Sequence, residues 1–181
     1  MNKRLTEEVI FDLYKEFETP ENVIRHCAAV ANVASTIAQA LNDHGYDLDI
    51  ELIIGTGLTH DIARTKARHW DVMADKLEEM GYYEESILVR NHMTGTGYND
   101  ISEVNEMDMI WLGDRLVKED TYVGIDERFE YIIEKAKKMG AEDHVKDILA
   151  SKADMQRLLD QIEEVIGQSV DSLFNKGVSN E

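Results

Sequence analysis

The stretch IELIIGTGLTHDI, residues 50–62, is apolar on most sides of a helix and closes on His60 and Asp61. A helix without a polar face is buried, so this stretch predicts the central helix of the fold. Gly55 and Gly57 cost helix stability relative to Ala, which indicates close approach of neighbouring helices, with ordinary tight packing as an equal alternative. Adjacent helical residues point about 100° apart, so His60 and Asp61 can reach one centre only near the helix end.

The segments on both sides of this stretch carry the 3.6-residue apolar period of amphipathic helices. One proline and no alternating Val, Ile or Thr runs leave no strand pattern, which predicts an all-α fold. We expect one helical-bundle domain over residues 1–181, with a metal-binding core at about 20–120 and additional C-terminal helices at about 125–176. Thr6 and Thr19 are predicted to cap the first two helices. A sixth helix is expected over about 102–117, after a loop at 94–100.

Composition and charge narrow the class of protein. The 181 residues include 37 acidic and 19 basic side chains, a net charge of −18, and 43% are hydrophobic, which suffices for a proper core. Cys27 is the only cysteine, which excludes an intrachain disulfide and favours a reducing cytoplasm. No apolar run approaches the roughly 18 residues that span a bilayer, and the amphipathic, acidic N-terminus does not resemble a signal peptide. We therefore expect a cytoplasmic protein with no membrane partner.

The excess of acidic residues also limits which ligands the protein can bind. A pI near 4.6 and the lack of any Lys/Arg cluster argue against duplex nucleic acid, whose binding depends on neutralising phosphates. An anionic ligand must therefore find its positive charge locally.

Four histidines and two aspartates fall on apolar helix faces or beside the most buried helix, where solvated residues are least expected. An unpaired carboxylate is costly in such surroundings, and Asp61 and Asp114 have few basic neighbours in sequence. Imidazole with carboxylate is the ligand set of Zn, Mn, Fe, Co or Ni, whereas Mg or Ca prefers oxygen. A metal site explains all six residues together: His26, His60, Asp61, His69, His92 and Asp114.

The order of these residues resembles the HD-domain superfamily of metal-dependent phosphohydrolases, whose namesake is the dipeptide His60-Asp61. The resemblance covers about residues 22–118, and His69 and His92 match the two additional histidines of dinuclear subfamilies. The nearest subgroups are bacterial hydrolases of symmetrical dinucleoside tetraphosphates and HD domains associated with molybdenum-cofactor nucleotidyltransferases. The stretches GDRLVKEDTYVGIDERFEYI and IEEVIGQSVDSLF are most similar to the second subgroup.

The resemblance implies two divalent transition-metal ions, of Fe, Mn, Co, Ni or Zn, with Asp61 bridging them. It divides the other ligands into two sets, His26, His60 and Asp114 in one and His69 and His92 in the other. The implied reaction is hydrolysis of a phosphomonoester or phosphoanhydride bond of a nucleotide-like substrate by a metal-activated hydroxide.

Basic residues near the metal-binding turn predict contacts to phosphate. Arg64 is expected to act in catalysis with Asp61 and to bind a phosphate through two hydrogen bonds. Lys66, Arg115 and Lys118 are weaker candidates, for which a solvated surface cation is the alternative. Arg64 stands where many relatives carry Lys, which keeps the charge and changes the donor geometry.

Two other functions stay open at this point. A branch of the superfamily uses the same ligands in a di-iron oxygenase, and an HD module can sense nucleotides or bind a partner while its metal serves the fold alone. The loop at 91–100 superficially resembles cyclic-di-GMP phosphodiesterases, but Asn99 replaces their proline and their paired His and Glu are missing, so we reject that substrate. The expected partner is a small phosphorylated substrate, and a homodimer stays open.

Overall fold

A computed structural model describes residues 3–94 and 97–174 of the chain, so residues 95–96 of the predicted loop and 175–176 of the predicted extension lie outside it. The predicted all-α class is confirmed. The α-helices are α1 Glu7–Glu16, α2 Glu21–Asn42, α3 Ile50–Thr59, α4 His69–Glu79, α5 Tyr83–Asn91, α6 Glu106–Leu116, α7 Gly124–Lys138, α8 Val145–Ile166 and α9 Val170–Phe174. Short 3₁₀ turns lie at Ile101–Glu103 and Glu142–His144. None of these helices is both long and apolar enough to cross a membrane.

One hairpin departs from the helical pattern. Strand β1, Val117–Lys118, pairs antiparallel with β2, Thr121–Tyr122, across a two-residue turn. Glu119 in that turn has a φ of 58°, the left-handed conformation that such tight turns require. The predicted sixth helix therefore ends at Leu116, before Val117. The hairpin was not predicted, because two paired residues are too few to show an alternating pattern.

The centre of the fold is α2, on which α3 and α6 both pack. A Cβ atom at Gly57 would lie 2.6 Å from Ala31 Cα, and one at Gly113 would lie 2.8 Å from the Val30 carbonyl oxygen. No side chain fits at those distances, so glycine sets the spacing of both helix pairs. The predicted close approach holds for Gly57 but not for Gly55, whose added Cβ would meet its nearest atom at an ordinary 3.4 Å.

Two apolar clusters surround this centre. The larger one joins α2, α3 and α6 to the C-terminal helices, with Met155, Leu158 and Ile162 of α8 buried against the faces of α2 and α6. The smaller one lies between α1, α4 and α5 and includes Leu13 and Leu77. The helix ends that face one another between α2, α3, α4, α5 and α6 hold the polar residues described below.

Side-chain caps explain where α1 and α6 begin, but not where α2 begins. Thr6 caps α1 as predicted, by accepting a hydrogen bond from the Val9 amide. Thr19 does not cap α2; Pro20 takes that position, and the Thr19 hydroxyl donates instead to the Ile62 carbonyl oxygen at 3.1 Å. Helix α6 begins later than predicted because Asn105 and Asp108 form a reciprocal capping box.

Candidate metal centre

The six predicted ligands converge from five helices. His26 lies on α2, His60 caps the end of α3, and Asp61 follows it in the turn. His69 is the first residue of α4, His92 caps the end of α5, and Asp114 lies on α6. Their ligand atoms form two groups, each within 4.8 Å: a first group of His26, His60 and Asp114, and a second group of Asp61, His69 and His92.

Asp61 connects the two groups, because each of its carboxylate oxygens faces one of them. Its Oδ1 atom lies 2.9 Å from His69 Nε2 and 3.7 Å from His92 Nε2. Its Oδ2 atom lies 3.7 Å from His60 Nε2 and 3.8 Å from His26 Nε2. This arrangement suits a carboxylate that contacts one cation in each group.

Backbone carbonyls fix the orientation of three imidazole rings. A carbonyl oxygen only accepts hydrogen bonds, so the nearby Nδ1 carries the proton and Nε2 presents its lone pair to the centre. The Nδ1–O distances are 2.6, 2.8 and 2.7 Å, for His26 to Glu119, His60 to Gly57 and His92 to Val89 respectively.

Within residues 3–94 and 97–174, the Nε2 atoms of His26, His60, His69 and His92 are buried and have no hydrogen-bond partner. Buried polar atoms in folded proteins normally have a partner, and four such atoms around two carboxylates fit a site for divalent cations. The residues present therefore suit the metal that the sequence predicted.

The ionisation of the site also fits metal ligation. Burial opposes the charge on Asp61, but His60, His69, His92 and Arg64 outweigh it and hold the pKa of this carboxyl well below its usual range. Burial likewise opposes the charge on Asp114, and the neighbouring imidazoles and Arg115 lower its pKa.

The two histidines of the first group respond differently to this environment. Burial lowers the pKa of His60 and keeps its ring neutral. For His26 burial also lowers the pKa, but the Asp114 carboxylate outweighs this effect, so its pKa is raised.

The expectation that Asp61 and Asp114 lack basic partners is wrong. The turn after α3 places Arg64 three residues beyond Asp61, where its Nη1 atom pairs with Asp61 Oδ2. Arg115 Nη1 lies 4.0 Å from Asp114 Oδ2. Each carboxylate therefore has a guanidinium group beside it, brought there by a helix end or a helical neighbour.

A cavity of about 480 Å³ opens beside this centre, with His26 and Arg64 on its wall. Lys118 of β1 also lines it, while its Nζ atom lies 3.1 Å from Glu127 Oε1. Lys66 is exposed and is not among the lining residues. Arg115 lines a separate cavity of about 320 Å³ on the His92 side.

Sequence reasoning missed two contributors to the site. Glu119 acts through its carbonyl oxygen, which any residue type supplies, so no sequence pattern could have indicated it. Arg128 of α7 lines the same cavity as His26, and only the packing of α7 beside the hairpin brings it there.

Left-handed backbone occurs next to the site. Among the described residues, the non-glycine positions with positive φ are Glu18, Arg68 and Glu119, at 50°, 51° and 58°. Arg68 directly precedes His69, and Glu119 supplies the carbonyl for His26. Glu18 precedes Thr19, whose hydroxyl donates a hydrogen bond to the carbonyl oxygen of Ile62, the residue after Asp61. Such strain persists where the surrounding structure enforces it, often at functional sites.

Comparisons with known proteins give one family and one relative. The model of the HD domain family matches residues 23–162. An uncharacterized protein of Methanocaldococcus jannaschii is 39% identical over 80 residues, which are 42% of this chain and 47% of that protein. The match therefore spans about half the length of this relative. No solved structure matches the chain.

Proposed function

The chain belongs to the HD domain family, most of whose members are metal-dependent hydrolases, and we propose that it is a phosphohydrolase. Its proposed reaction is hydrolysis of a phosphomonoester or phosphoanhydride bond in a nucleotide-like substrate. The observation that carries the proposal is the set of four buried, unpartnered Nε2 atoms around two ionised carboxylates.

We propose that the centre holds two divalent transition-metal ions, one in each ligand group. Four nitrogen and two carboxylate ligands suit Fe, Mn, Co, Ni or Zn better than Mg or Ca. Bound there, the ions supply a hydroxide nucleophile at neutral pH and positive charge opposite the phosphoryl oxygens.

The protein contributes spacing, orientation and further positive charge. Asp61, with one oxygen towards each group, sets the separation of the two groups. Arg64 is half exposed between Asp61 and the cavity, where its guanidinium can donate to a phosphoryl oxygen. Lys118 lines the same cavity, so we assign a substrate contact to Arg64 and Lys118, whereas Lys66 lies outside the cavity wall and stays a weaker candidate.

The test begins with metal content, measured by mass spectrometry on protein purified without chelator. Protein reconstituted with each metal is then assayed for phosphate release from phosphomonoesters, nucleotides and dinucleoside polyphosphates. We expect turnover that His60→Ala abolishes with the helical circular dichroism retained, and that the matched control His144→Ala leaves unchanged. Reconstituted protein that is inert on the whole panel would exclude the proposal.

The same ligand set suits a di-iron oxygenase, and the metal experiment separates the two chemistries. Two irons per chain with oxygen uptake on an organic substrate would favour the oxygenase. Hydrolysis supported by Mn, Co or Ni without oxygen consumption would exclude it. A metal that serves only the fold would give His60→Ala a large loss of stability and no turnover to lose.

A further inference from the structure

Positive charge is concentrated in the 480 Å³ cavity beside His26, although the whole chain has a net charge of −18. Among the described residues, its wall includes five basic residues and two acidic ones, Glu119 and Asp120. The basic residues come from α2, the turn after α3, β1 and α7: Arg25, Arg64, Lys118, Arg128 and Lys135. In so acidic a protein, a cavity of this composition favours an anion over any other ligand.

Three of these cations already have carboxylate partners. Arg25 Nε bonds to Asp120 Oδ2 at 2.8 Å, Lys118 pairs with Glu127, and Arg64 pairs with Asp61. The first two pairs fasten the hairpin to α2 and α7. They therefore fix the position of the cavity wall without neutralising its remaining charge.

Arg128 is different, because within residues 3–94 and 97–174 it has no carboxylate partner within 4.0 Å. Its Nε atom is buried and donates no hydrogen bond to these residues. Burial lowers the pKa of Arg128 and outweighs the nearby Asp114 carboxylate, yet a guanidinium remains charged in proteins. Asp114 lies beyond ion-pair range and offsets only part of this burial cost, so a negative group that enters the cavity would stabilise the Arg128 guanidinium.

The ring of Tyr131 lies near two of these cations. Lys118 Nζ lies 5.2 Å and Arg128 Cζ 5.7 Å from the centre of this ring. Each cation is attracted to the aromatic ring, which helps to hold both side chains at the cavity wall. An anion that reaches both Lys118 and Arg128 would use both sets of donors.

We propose that this cavity binds a second anionic group of the substrate, next to the phosphoryl group at the metal centre. This inference rests on the proposed function and narrows it to substrates with at least two linked phosphates. His26 lies on the cavity wall, so a phosphate chain can extend from the first ligand group towards Arg128 without crossing protein. The volume of about 480 Å³ exceeds the need of one phosphate group and lies in the range of small-molecule sites.

The test compares binding of inorganic pyrophosphate and orthophosphate to the metal-reconstituted protein by calorimetry. We expect pyrophosphate to bind at least 10-fold more tightly than orthophosphate. Arg128→Gln should reduce pyrophosphate affinity at least 10-fold and change orthophosphate affinity less than 2-fold. Lys138→Gln, on the same helix but outside the cavity wall, is the matched control and should change neither.

Unfolding of the metal-free protein supplies a second readout. Arg128→Gln should unfold at the same or a higher temperature than wild type, because it removes a desolvated charge, whereas a structural arginine would lower that temperature. A lower temperature, or equal loss of affinity for both anions, would overturn the subsite. Absence of hydrolysis on the whole panel would instead overturn the proposed function, since the pyrophosphate measurement requires no turnover.

Discussion

The two ligand groups rest on different kinds of scaffold. The first group comes from α2, α3 and α6, which approach one another closely at Gly57 and Gly113, and both of its histidines donate to backbone carbonyls. The second group comes from the ends of α3, α4 and α5. In the described part of the chain, only His92 of this second group donates to a backbone carbonyl. The ring of His69 instead packs edge-to-face against Trp70, with 5.0 Å between the ring centres.

This difference separates two ways to position a ligand. Helix packing at glycine contacts cannot shift without a clash, so the geometry of the first group is preorganised. A helix start that follows a turn can adjust, so the second group is free to change when a substrate binds. We therefore expect the first group to hold its ion more tightly than the second.

The largest expected effect is on metal affinity. Asp114→Ala removes a direct ligand of the first group and should weaken the tighter ion by more than about 100-fold, beyond the effect of losing a supporting contact. His69→Ala should weaken only the looser ion. Calorimetric titration with Mn or Co resolves the tighter and the looser metal-binding sites. If both variants weaken both ions equally, the two groups do not bind their ions independently, and the expected difference in affinity between them is wrong.

The next effect concerns the scaffold of the first group. Gly57→Ala should destabilise the protein by about 2 kcal/mol, because the new methyl would overlap the Ala31 backbone. Gly55→Ala is the matched control on the same helix, two residues earlier, and should be neutral or stabilising by up to about 1 kcal/mol. Urea unfolding measures both. A tolerated Gly57→Ala would show that the α2–α3 contact can relax.

The sequence predicted the side chains of the site better than the backbone that supports them. The sequence predicted the six ligands because polar side chains stand where solvated residues are least expected, and because His69 and His92 match the additional histidines of dinuclear subfamilies. His60 and Asp61 at the end of the most apolar helix were the clearest case. The family match and the two ligand groups agree with that interpretation.

The remaining contributors have no such pattern. The Glu119 carbonyl is backbone chemistry, the hairpin is too short to show a period, and a left-handed φ at Arg68 contradicts local preference. The Arg64–Asp61 pair depends on how tightly the chain turns after α3. The position of Arg128 beside His26 depends on the packing of α7, which is a long-range contact.

A smaller effect should come from a buried carboxylate on α5, the helix that ends at His92 of the second group. Glu85 of α5 is buried, its carboxylate oxygens have no hydrogen-bond partner in the part of the chain that the structure describes, and its Oε1 atom lies 4.0 Å from Arg4 Nη1. Burial raises the pKa of Glu85, and Glu84 adds to this, while Arg4 opposes it. The folded state therefore holds this proton more strongly than the unfolded state does, and stability falls as pH rises above about 4.3.

Glu85→Gln removes the ionisation cost. We expect a gain on the order of 1 kcal/mol at neutral pH that disappears below about pH 4. Glu84→Gln is the control, because it removes a surface ion pair with Arg4 and should cost between 0 and about 1 kcal/mol. Urea unfolding at several pH values measures the two. A gain for Glu85→Gln that persists at low pH would contradict ionisation as its cause.

The smallest effect tests the backbone beside each group. Arg68→Gly relieves a left-handed residue and should be about 0.5–1 kcal/mol more stable than Arg68→Ala, since both lose the ion pair with Asp71. Because Arg68 precedes His69, the added freedom should also weaken the second ion, by less than about 10-fold. Glu119→Gly should give a similar gain against Glu119→Ala with less effect on the first ion, because glycine keeps the carbonyl that orients His26 and α2 holds that residue. Equal losses of metal affinity at both positions would mean that backbone conformation, rather than helix packing, positions both groups.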